Sequence, residues 1–431
     1  MKTLMKKLSI LIFLAIAISC ARQSNKKHLI TIRWCTDNNP LRIKQIKLFE
    51  KFNPDIKVEL LTQLKNDQKL LQMASGSPVF DVLDIYSFAM FKDFVKRNVL
   101  VDLTDKFKNE SFDISIVWPQ TREQFMYNNR VYAFPCNAGN FVLFYNTELF
   151  EKNGIPLLEN KRITWKEFRN IAKKLTKTDP VKKFPENFGC YIDYNDNNLR
   201  SILLWQTGGD WFSKDQNKMA FNYQEYAAAL QDLYDIRHID HSTPTKGDMD
   251  SLAQEGTWSQ SVGIFATGKI GMKFGGKWEE SQYRQNKALG YNVAYLPSFP
   301  DEKPYNIFMT RTSAIPAGCK NPDAAYKFIK YLASEEYNKT IAVSGDALPA
   351  VMKFAQDKNF MKTPLFSDYK NSIYEKEMKY ARFLTFPENF PFYEFASTIL
   401  KEQAESCFDA SQISIKKMLD TIEKKGNELF K

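Results

Sequence analysis

Glycine, proline and histidine are all scarce in this sequence, with 17 Gly, 18 Pro and 3 His among 431 residues. The low glycine and proline content, together with 44% hydrophobic and 26% charged residues, excludes a collagen-like, low-complexity or disordered chain. No GxSxG, HExxH or P-loop pattern occurs, so the sequence marks of serine hydrolases, zinc proteases and P-loop nucleotidases are missing. At about 150 residues per domain, the length indicates two or three globular domains.

Cysteine offers neither a disulfide framework nor a structural zinc site. The 6 cysteines include no CxxC pair and have no regular spacing, although a single bridge between two of them stays possible. His238 and His241 are spaced close to one helical turn, which could seed a metal site, but no third histidine or suitable cysteine lies near them in the sequence. The end of a surface helix is the simpler interpretation, and we expect no metal and no cofactor.

Neither sign of charge is concentrated in one part of the chain. The sequence has 60 Lys and Arg against 50 Asp and Glu, a formal net charge of +10, and the two signs are interspersed. No arginine-rich block or zinc-finger spacing is present. This pattern predicts no nucleic-acid partner.

The N-terminal segment carries an apolar run, residues 8–18, that is shorter than the roughly 20 residues needed to cross a bilayer. A positive segment, residues 1–7, precedes it, and Ala17-Ile18-Ser19-Cys20 follows it. The arrangement is typical of a signal peptide, and the tetrapeptide resembles the bacterial lipobox. That resemblance implies removal of residues 1–19, acylation of Cys20 as a membrane anchor, and a tether over residues 20–27. Ordinary secretion, with Cys20 incidental, is the alternative.

Strand and helix patterns alternate along the rest of the chain. Strand patterns at residues 29–34, 56–61 and 80–85 are separated by helical patterns at 41–52 and 67–75. This β-α-β-α-β order predicts a parallel sheet covered by helices. A second run starts with a strand at 141–145 and ends in a mostly helical C-terminal region. Since no internal repeat and no Gly/Ser linker occur, we expect an α/β protein whose domains are joined by crossing strands.

The middle of the chain carries a recognisable signature, FATGKIGM at 265–272 followed by GGKW at 275–278. Shorter landmarks stand around it in a fixed order. They are ASG at 74–76, FDV at 80–82, FYN at 144–146, TW at 164–165, GGD at 208–210 and LPA at 348–350. In order and spacing these motifs resemble extracellular solute-binding protein family 1, the sugar-capturing lipoproteins of ABC importers, over about residues 28–400.

The resemblance implies the periplasmic-binding-protein type II fold, in which two α/β domains are joined by crossing strands and enclose a ligand cleft. It implies an N-terminal domain of residues 28–138 plus 295–346 and a C-terminal domain of residues 139–294 plus 347–431. The chain is then expected to cross between the domains near residues 136–140, 292–297 and 345–349. A ligand that touches both domains only when they close shifts the population toward the closed state.

A sugar has apolar C–H faces and a rim of hydroxyl groups, so its site needs aromatic platforms together with carboxylates and amides. Trp278, which directly follows two glycines and a lysine, is the candidate platform, although an aromatic residue in an α/β protein is more often part of the core. The polar loop at 195–198 could equally be solvated or bind calcium, and the turns around Asp37 and Asn137 could be purely structural. The residues that the resemblance implies as ligand contacts are Asp37, Asn38, Tyr86, Ser87, Asn137, Asn140, Asp196, Asn198, Gly276, Trp278 and Phe392.

The function implied by the resemblance is capture of a small-molecule solute, a mono- or oligosaccharide, for the transmembrane subunits of an ABC permease. We expect a monomer without catalytic activity, lipid-anchored on the extracytoplasmic side in the periplasm or at the cell surface. The first alternative is the same role with an anionic or cationic solute, such as a glycerol phosphate or a polyamine. Lys277 and Arg311 are the candidate anion contacts. A secreted glycoside-acting enzyme and an inert surface lipoprotein are the further alternatives.

Overall fold

The structure is a computed structural model that describes residues 29–178, 185–221, 223–252, 260–362 and 368–430. The predicted signal peptide, the tether and Cys20 lie outside the described residues. Five-stranded sheets form the centres of two α/β units.

The first sheet contains the predicted parallel strands. Ile30–Thr36 pairs in parallel with Ile56–Thr62 on one side and with Val82–Ile85 on the other. Its inward residues Ile32 and Trp34 are fully buried, which is why the strand alternates in polarity at its start. Two antiparallel strands complete the sheet on the far side of Val82–Ile85. The order across the sheet is Ile56–Thr62, Ile30–Thr36, Val82–Ile85, Thr312–Ala314 and Ala133–Pro135.

The second sheet has two wholly buried central strands, Phe141–Asn146 and Ile270–Gly276, which pair antiparallel. Both read as nearly continuous apolar runs because helices cover both faces of the sheet. The order across this sheet is Tyr291–Ala294, Phe141–Asn146, Ile270–Gly276, Pro185–Tyr191 and Lys177–Thr178.

The helices follow the start signals in the sequence. Thr164 accepts a hydrogen bond from the backbone amide of Glu167 and forms a capping box with it. Pro322 stands in the first turn of its helix, and Ser334 caps the next one. The longer helices around the first sheet are Leu41–Phe52, Asn66–Ala74, Phe88–Lys96, Pro322–Tyr331 and Glu335–Ser344. Those around the second sheet are Trp165–Leu175, Asn197–Gln206, Tyr223–His238, Lys246–Leu252, Gln260–Ala266, Asp368–Glu377 and Ile415–Asn427.

Three segments cross between the two units and are hydrogen-bonded to one another. Ala138 and Leu348 exchange two backbone hydrogen bonds of 2.9 Å, and Gly139 and Met309 exchange two of 2.8 and 2.9 Å. The Cys136 amide also donates to the Arg311 carbonyl at 2.7 Å. The crossing segments are therefore 136–139, 309–311 and 346–348.

The second crossing lies later in the chain than the predicted range 292–297. After Tyr291–Ala294 the chain stays on the second unit, where Leu296 is fully buried and Gln206 donates to the carbonyls of Pro297 and Tyr305. The short strand Asn306–Ile307 then pairs with Ala381–Arg382. Residues 295–308, which the prediction gave to the N-terminal domain, thus pack with the second unit, and the rest of the proposed domain division stays a prediction.

The five cysteines in the described part of the chain, Cys35, Cys136, Cys190, Cys319 and Cys407, are all free thiols. The bridge that the sequence left open is therefore not formed among them. None of the helices in the described ranges combines the length and the apolar character that crossing a bilayer requires.

The contact between helix Trp165–Leu175 and strand Pro185–Tyr191 depends on Gly189. A Cβ atom at this position would lie 1.8 Å from the backbone oxygen of Ala172, and a backbone cannot yield as a flexible side chain does. We expect Gly189→Ala to lower the free energy of unfolding by about 3 kcal/mol or more, measured by urea denaturation.

Gly247→Ala is the matched control, because the nearest atom to a Cβ at that helical position is 4.0 Å away. Alanine should there raise the free energy of unfolding by about 0.4–1 kcal/mol. Equal responses of the two variants would contradict the close helix–strand contact.

Candidate functional site

Two adjoining cavities open where the crossing segments meet. The first has a volume of about 430 Å³ and takes its walls from both units, with Asp37 on one side and Trp278 on the other. The second has a volume of about 540 Å³. Tyr86, Met309 and Thr310 line both cavities, so the two lie side by side in the cleft.

Trp278 forms one wall of the first cavity. It stands on the single turn Lys277–Glu279 that follows strand Ile270–Gly276, and its side chain is half-buried. A Cβ at Gly276 would lie 2.1 Å from the indole ring, and one at Gly139 would lie 2.8 Å from it. Both positions lack a side chain because the ring occupies that space, so Gly276 seats the indole and does not itself line either cavity.

A buried ion-pair network lies beneath the first cavity. Arg42 contacts Asp37 at 2.9 Å and Asp346 at 3.2 Å, and Arg311 contacts Asp84 at 2.9 Å and Asp37 at 3.5 Å. Both guanidinium groups are almost inaccessible to solvent. Burial acts to raise the pKa of Asp37, but Arg42 and Arg311 outweigh it and hold that pKa well below its ordinary value. Asp37 is therefore a carboxylate throughout the physiological range.

The charges of this network balance. Lys69 donates to the backbone carbonyl of Asp84 at 2.7 Å and adds a third cation to the two arginines. The network thus contains three cations and three carboxylates, those of Asp37, Asp84 and Asp346. Tyr86, which is 43% exposed, donates its hydroxyl hydrogen to Asp37 at 2.8 Å. The floor of the first cavity is therefore polar but carries no large net charge.

Amide groups from two turns complete the first cavity. Asn38 lies exposed in the turn after strand Ile30–Thr36, and Asn137 lies in the first crossing segment. The Oδ1 atom of Asn137 accepts a hydrogen bond of 2.9 Å from the backbone amide of Arg311. This bond fixes the orientation of the Asn137 amide relative to the ion-pair network.

The second cavity collects four further predicted contacts. Ser87, Asp196, Asn198 and Phe392 all line it. Asp196 caps helix Asn197–Gln206 by accepting from the Asn198 amide at 2.8 Å. Burial and the neighbouring carboxylate of Asp193 raise the pKa of Asp196 to about 6.

Two predicted contacts lie away from the cleft, as does one of the candidate anion contacts. Asn140 is buried, and its amide donates to the Tyr374 carbonyl at 2.7 Å, so its position is structural. Gly276 lies beneath the indole ring. Lys277 is buried beside Asn371, to which it donates at 2.5 Å, and lines neither cavity.

The metal-site alternative finds no support in the described residues. His238 shares a hydrogen bond of 2.8 Å with the carbonyl of Phe408 and lies against the ring of Tyr234. Across the described ranges, no group of three or more His, Cys, Asp and Glu side chains is placed to hold an ion.

Several residues of the cleft were not found from the sequence. Arg42 occupies an ordinary polar position of an amphipathic helix, and Asp346 follows the end of a helix more than three hundred residues later. Met309 and Thr310 belong to the crossing segment that was predicted elsewhere. No local pattern signals these positions, because distant parts of the chain bring them together.

The raised pKa of Asp196 makes stability depend on pH. The pKa of Asp196 is about 6 in the folded chain, above its ordinary value of 3.8. The folded chain therefore takes up a proton more readily than the unfolded chain, and the free energy of unfolding rises as the pH falls from about 7 to about 4. Asparagine caps a helix as well as aspartate does. We expect Asp196→Asn to raise the free energy of unfolding by about 1–3 kcal/mol near pH 8, with the difference vanishing near pH 4.

Urea denaturation across this pH range measures the effect. Asp193→Asn is the control. It removes the neighbouring charge but leaves Asp196 buried, and burial is the larger cause of the raised pKa. Asp193→Asn should therefore keep part of the pH dependence that Asp196→Asn abolishes. A pH-independent difference between Asp196→Asn and the wild-type chain would contradict the raised pKa.

Comparison with known proteins places the cleft in a family. The sequence model of the bacterial extracellular solute-binding proteins matches residues 39–339. The diacetylchitobiose-binding protein DasA of Streptomyces coelicolor is 24% identical over 327 residues, which cover 73% of this chain and 72% of DasA. The mannitol-binding protein of Pseudomonas aeruginosa is 23% identical over 330 residues, 73% of this chain and 70% of that protein.

Solved structures show the same architecture. An ABC substrate-binding protein of Listeria monocytogenes in complex with cycloalternan has a TM-score of 0.78 at 22% identity, covering 93% of this chain and 98% of that one. Maltose-bound MalE3 of T. maritima has a TM-score of 0.77 at 20% identity, covering 93% and 100%. The predicted periplasmic-binding-protein type II fold is therefore confirmed. Because the family model spans well over half of its length, the chain belongs to the bacterial extracellular solute-binding protein family.

Proposed function

We propose that this protein captures a neutral carbohydrate in the cleft between its two domains and delivers it, chemically unchanged, to the transmembrane subunits of an ABC permease. The observation that carries the proposal is the first cavity, where an indole ring faces a polar floor whose cations and carboxylates are equal in number. The names of the relatives, which include a diacetylchitobiose-binding and a mannitol-binding protein, support the same class of solute.

The composition of the first cavity matches the two faces of a sugar. The Trp278 ring offers an apolar surface for C–H groups, and its N–H group can donate to a hydroxyl. The Asp37 carboxylate and the amides of Asn38 and Asn137 offer paired acceptors and donors for neighbouring hydroxyls. Since Asp37 is held by two arginines, its carboxylate is positioned before any ligand arrives, and preorganisation of this kind favours affinity.

A charged solute is disfavoured by the same geometry. Arg42 and Arg311 are committed to buried carboxylates, so an anionic solute would meet Asp37 and Asp346 as well as the two guanidinium groups. A cationic solute would find the same carboxylates already paired. Lys277, the other candidate anion contact, points its ammonium group at Asn371, away from the cleft.

Closure follows from where the contacts lie. Asp37 and Tyr86 belong to the first unit, while Trp278 belongs to the second, and hydrogen-bonded crossing segments connect the units. A sugar that touches both walls binds the closed arrangement more tightly and shifts the population toward it. A permease that contacts both domains can then distinguish the loaded protein from the empty one.

The solute preference is tested by a thermal-shift panel of neutral mono- and oligosaccharides, sugar phosphates and polyamines. A neutral sugar at one hundred times its Kd should stabilise the folded chain by about 2.7 kcal/mol.

For the sugar that binds, we expect Trp278→Ala to weaken binding roughly thirty- to several-hundredfold in calorimetric titration, the effect of losing about 2–4 kcal/mol of contact with an aromatic platform. The bound sugar should be recovered unaltered after prolonged incubation.

Trp211→Phe is the control for loss of fold. Trp211 is buried in the core of the second unit and lines neither cavity, so this variant should lower stability and leave affinity unchanged. Stabilisation by sugar phosphates or polyamines alone would contradict the proposed solute class. If Trp278→Ala binds the sugar as tightly as the wild type but is much less stable, Trp278 is a core residue and does not contact the ligand.

We further propose that Cys20 is acylated, so that a monomeric protein is tethered on the extracytoplasmic side of a membrane. The lipobox-like tetrapeptide supports this, and the family is extracellular. Wild-type protein from the full-length gene should partition into a detergent phase, and Cys20→Ala should move to the aqueous phase. Cys319→Ala, which alters a free thiol of the folded part, should partition as the wild type does. Equal partitioning of the wild type and Cys20→Ala would contradict the anchor.

A further inference from the structure

The segment that carries Trp278 is anchored in the interior of the second unit on both sides of the indole. Lys277, the residue before it, is buried. Glu280, two residues after it, is fully buried and accepts hydrogen bonds from the hydroxyl groups of Tyr374 at 2.7 Å and Tyr291 at 3.1 Å. Trp278 instead lines the first cavity. The backbone on either side of the indole is therefore held by buried contacts.

The side chain of Glu279 turns back along the strand that precedes this segment. Both of its carboxylate oxygens lie 2.6 Å from the place that a Cβ atom of Gly275 would occupy. Gly275 therefore leaves room for the Glu279 carboxylate, as Gly276 leaves room for the Trp278 ring. Each of the two successive glycines thus accommodates one side chain of the turn that follows them.

The two glycines lie on opposite faces of strand Ile270–Gly276, because successive residues of a strand alternate between its faces. The Glu279 carboxylate therefore contacts one face of the strand end, and the Trp278 ring contacts the other. Both side chains belong to the single turn Lys277–Glu279. A change in the position of the Glu279 side chain consequently changes the position of the indole.

A buried ion pair holds the Glu279 carboxylate in this place. Lys273, on the same strand face as Gly275, donates to Glu279 at 2.6 Å and to the backbone carbonyl of Phe274 at 3.0 Å. The hydroxyl group of Tyr283 donates to the same carboxylate. Burying two charges is costly, and the cost is offset only where the partners meet in good geometry. The ion pair therefore restricts Glu279 to one position.

We propose that Glu279 is a positioning residue, whose ion pair with Lys273 fixes the orientation in which Trp278 presents its ring to the ligand. Glu279 acts through the indole and does not contact the ligand. The inference rests on the proposed role of Trp278 as the platform for a neutral carbohydrate. A ring that is fixed before the ligand arrives loses less conformational freedom on binding, which favours affinity.

Fluorine NMR of the protein labelled with 5-fluorotryptophan observes Trp278 without any ligand. The Trp278 resonance is identified by its loss in Trp278→Phe. Glu279→Gln preserves the shape of the side chain and removes its charge, so we expect the Trp278 resonance to shift or broaden as the ring samples further orientations.

Asp240→Asn is the matched control. Asp240 is another carboxylate of the second unit with a buried side chain, it pairs with Arg169 at 2.6 Å, and it lines neither cavity. Asp240→Asn should lower stability in urea denaturation, because it breaks an ion pair, but should leave the Trp278 resonance unchanged.

The double variant Lys273→Met/Glu279→Gln provides the same test if Glu279→Gln does not fold. It leaves neither partner of the pair as an isolated buried charge, so it should be more stable than Glu279→Gln in urea denaturation. The Trp278 resonance should change in the double variant as well, since the ion pair is lost in both.

Calorimetric titration then measures affinity for the sugar that the wild type binds most tightly, at a temperature at which every variant is folded. We expect Glu279→Gln and the double variant to bind it at least tenfold more weakly, and Asp240→Asn to bind within twofold of the wild type. A Glu279 that only stabilises the fold would change neither the resonance nor the affinity.

An unchanged Trp278 resonance or an unchanged affinity in the Glu279 variants would overturn the positioning role and leave the proposed function standing. If no sugar binds the wild type while the resonance responds as expected, the proposed function is wrong and the control of the Trp278 orientation by Glu279 is supported.

Discussion

The geometry of the cleft depends on the ion pairs of the buried Arg311 guanidinium group. It lies in the second crossing segment and contacts Asp84 from the first sheet and Asp37 from the turn that lines the first cavity. Asp84 also accepts hydrogen bonds from Trp34, Thr36 and Ser313. Removing two charges from water is costly, and the cost is offset only where each charge meets several partners. The network therefore fixes the second crossing segment, the first sheet and the turn at Asp37 in one arrangement relative to one another.

The same network determines what the cleft can hold. Asp37 and Tyr86 follow the carboxyl ends of adjacent parallel strands, where ligands of open α/β sheets bind. Because arginines neutralise Asp37 and Asp346 from below, these groups present hydrogen-bonding atoms without an uncompensated charge. Trp278 supplies the apolar surface from the opposite domain, in space that Gly139 and Gly276 leave open. A neutral ligand rich in hydroxyl groups satisfies all of these surfaces together.

Local patterns in the sequence predicted most elements and the parts of the site that lie next to them. The strand patterns at 29–34 and 56–61 correspond to Ile30–Thr36 and Ile56–Thr62, and the helical pattern at 41–52 corresponds to Leu41–Phe52. The second crossing was misplaced because the pairing of Asn306–Ile307 with Ala381–Arg382 joins distant segments, and polarity patterns carry no information about such pairing. The contact between Arg42 and Asp346 was not predicted, because it too joins distant segments of the chain.

The ionic-strength dependence of ligand binding shows directly whether the charge-balanced cavity selects a neutral ligand. Calorimetric titration of the tightest-binding solute at about 20 mM and about 500 mM salt compares conditions in which exposed charges are weakly and strongly screened. The Kd should change less than about twofold, since a neutral ligand brings no charge to be screened. A Kd that rises about tenfold or more at high salt would instead show that the arginines or carboxylates of the cleft hold a charged ligand.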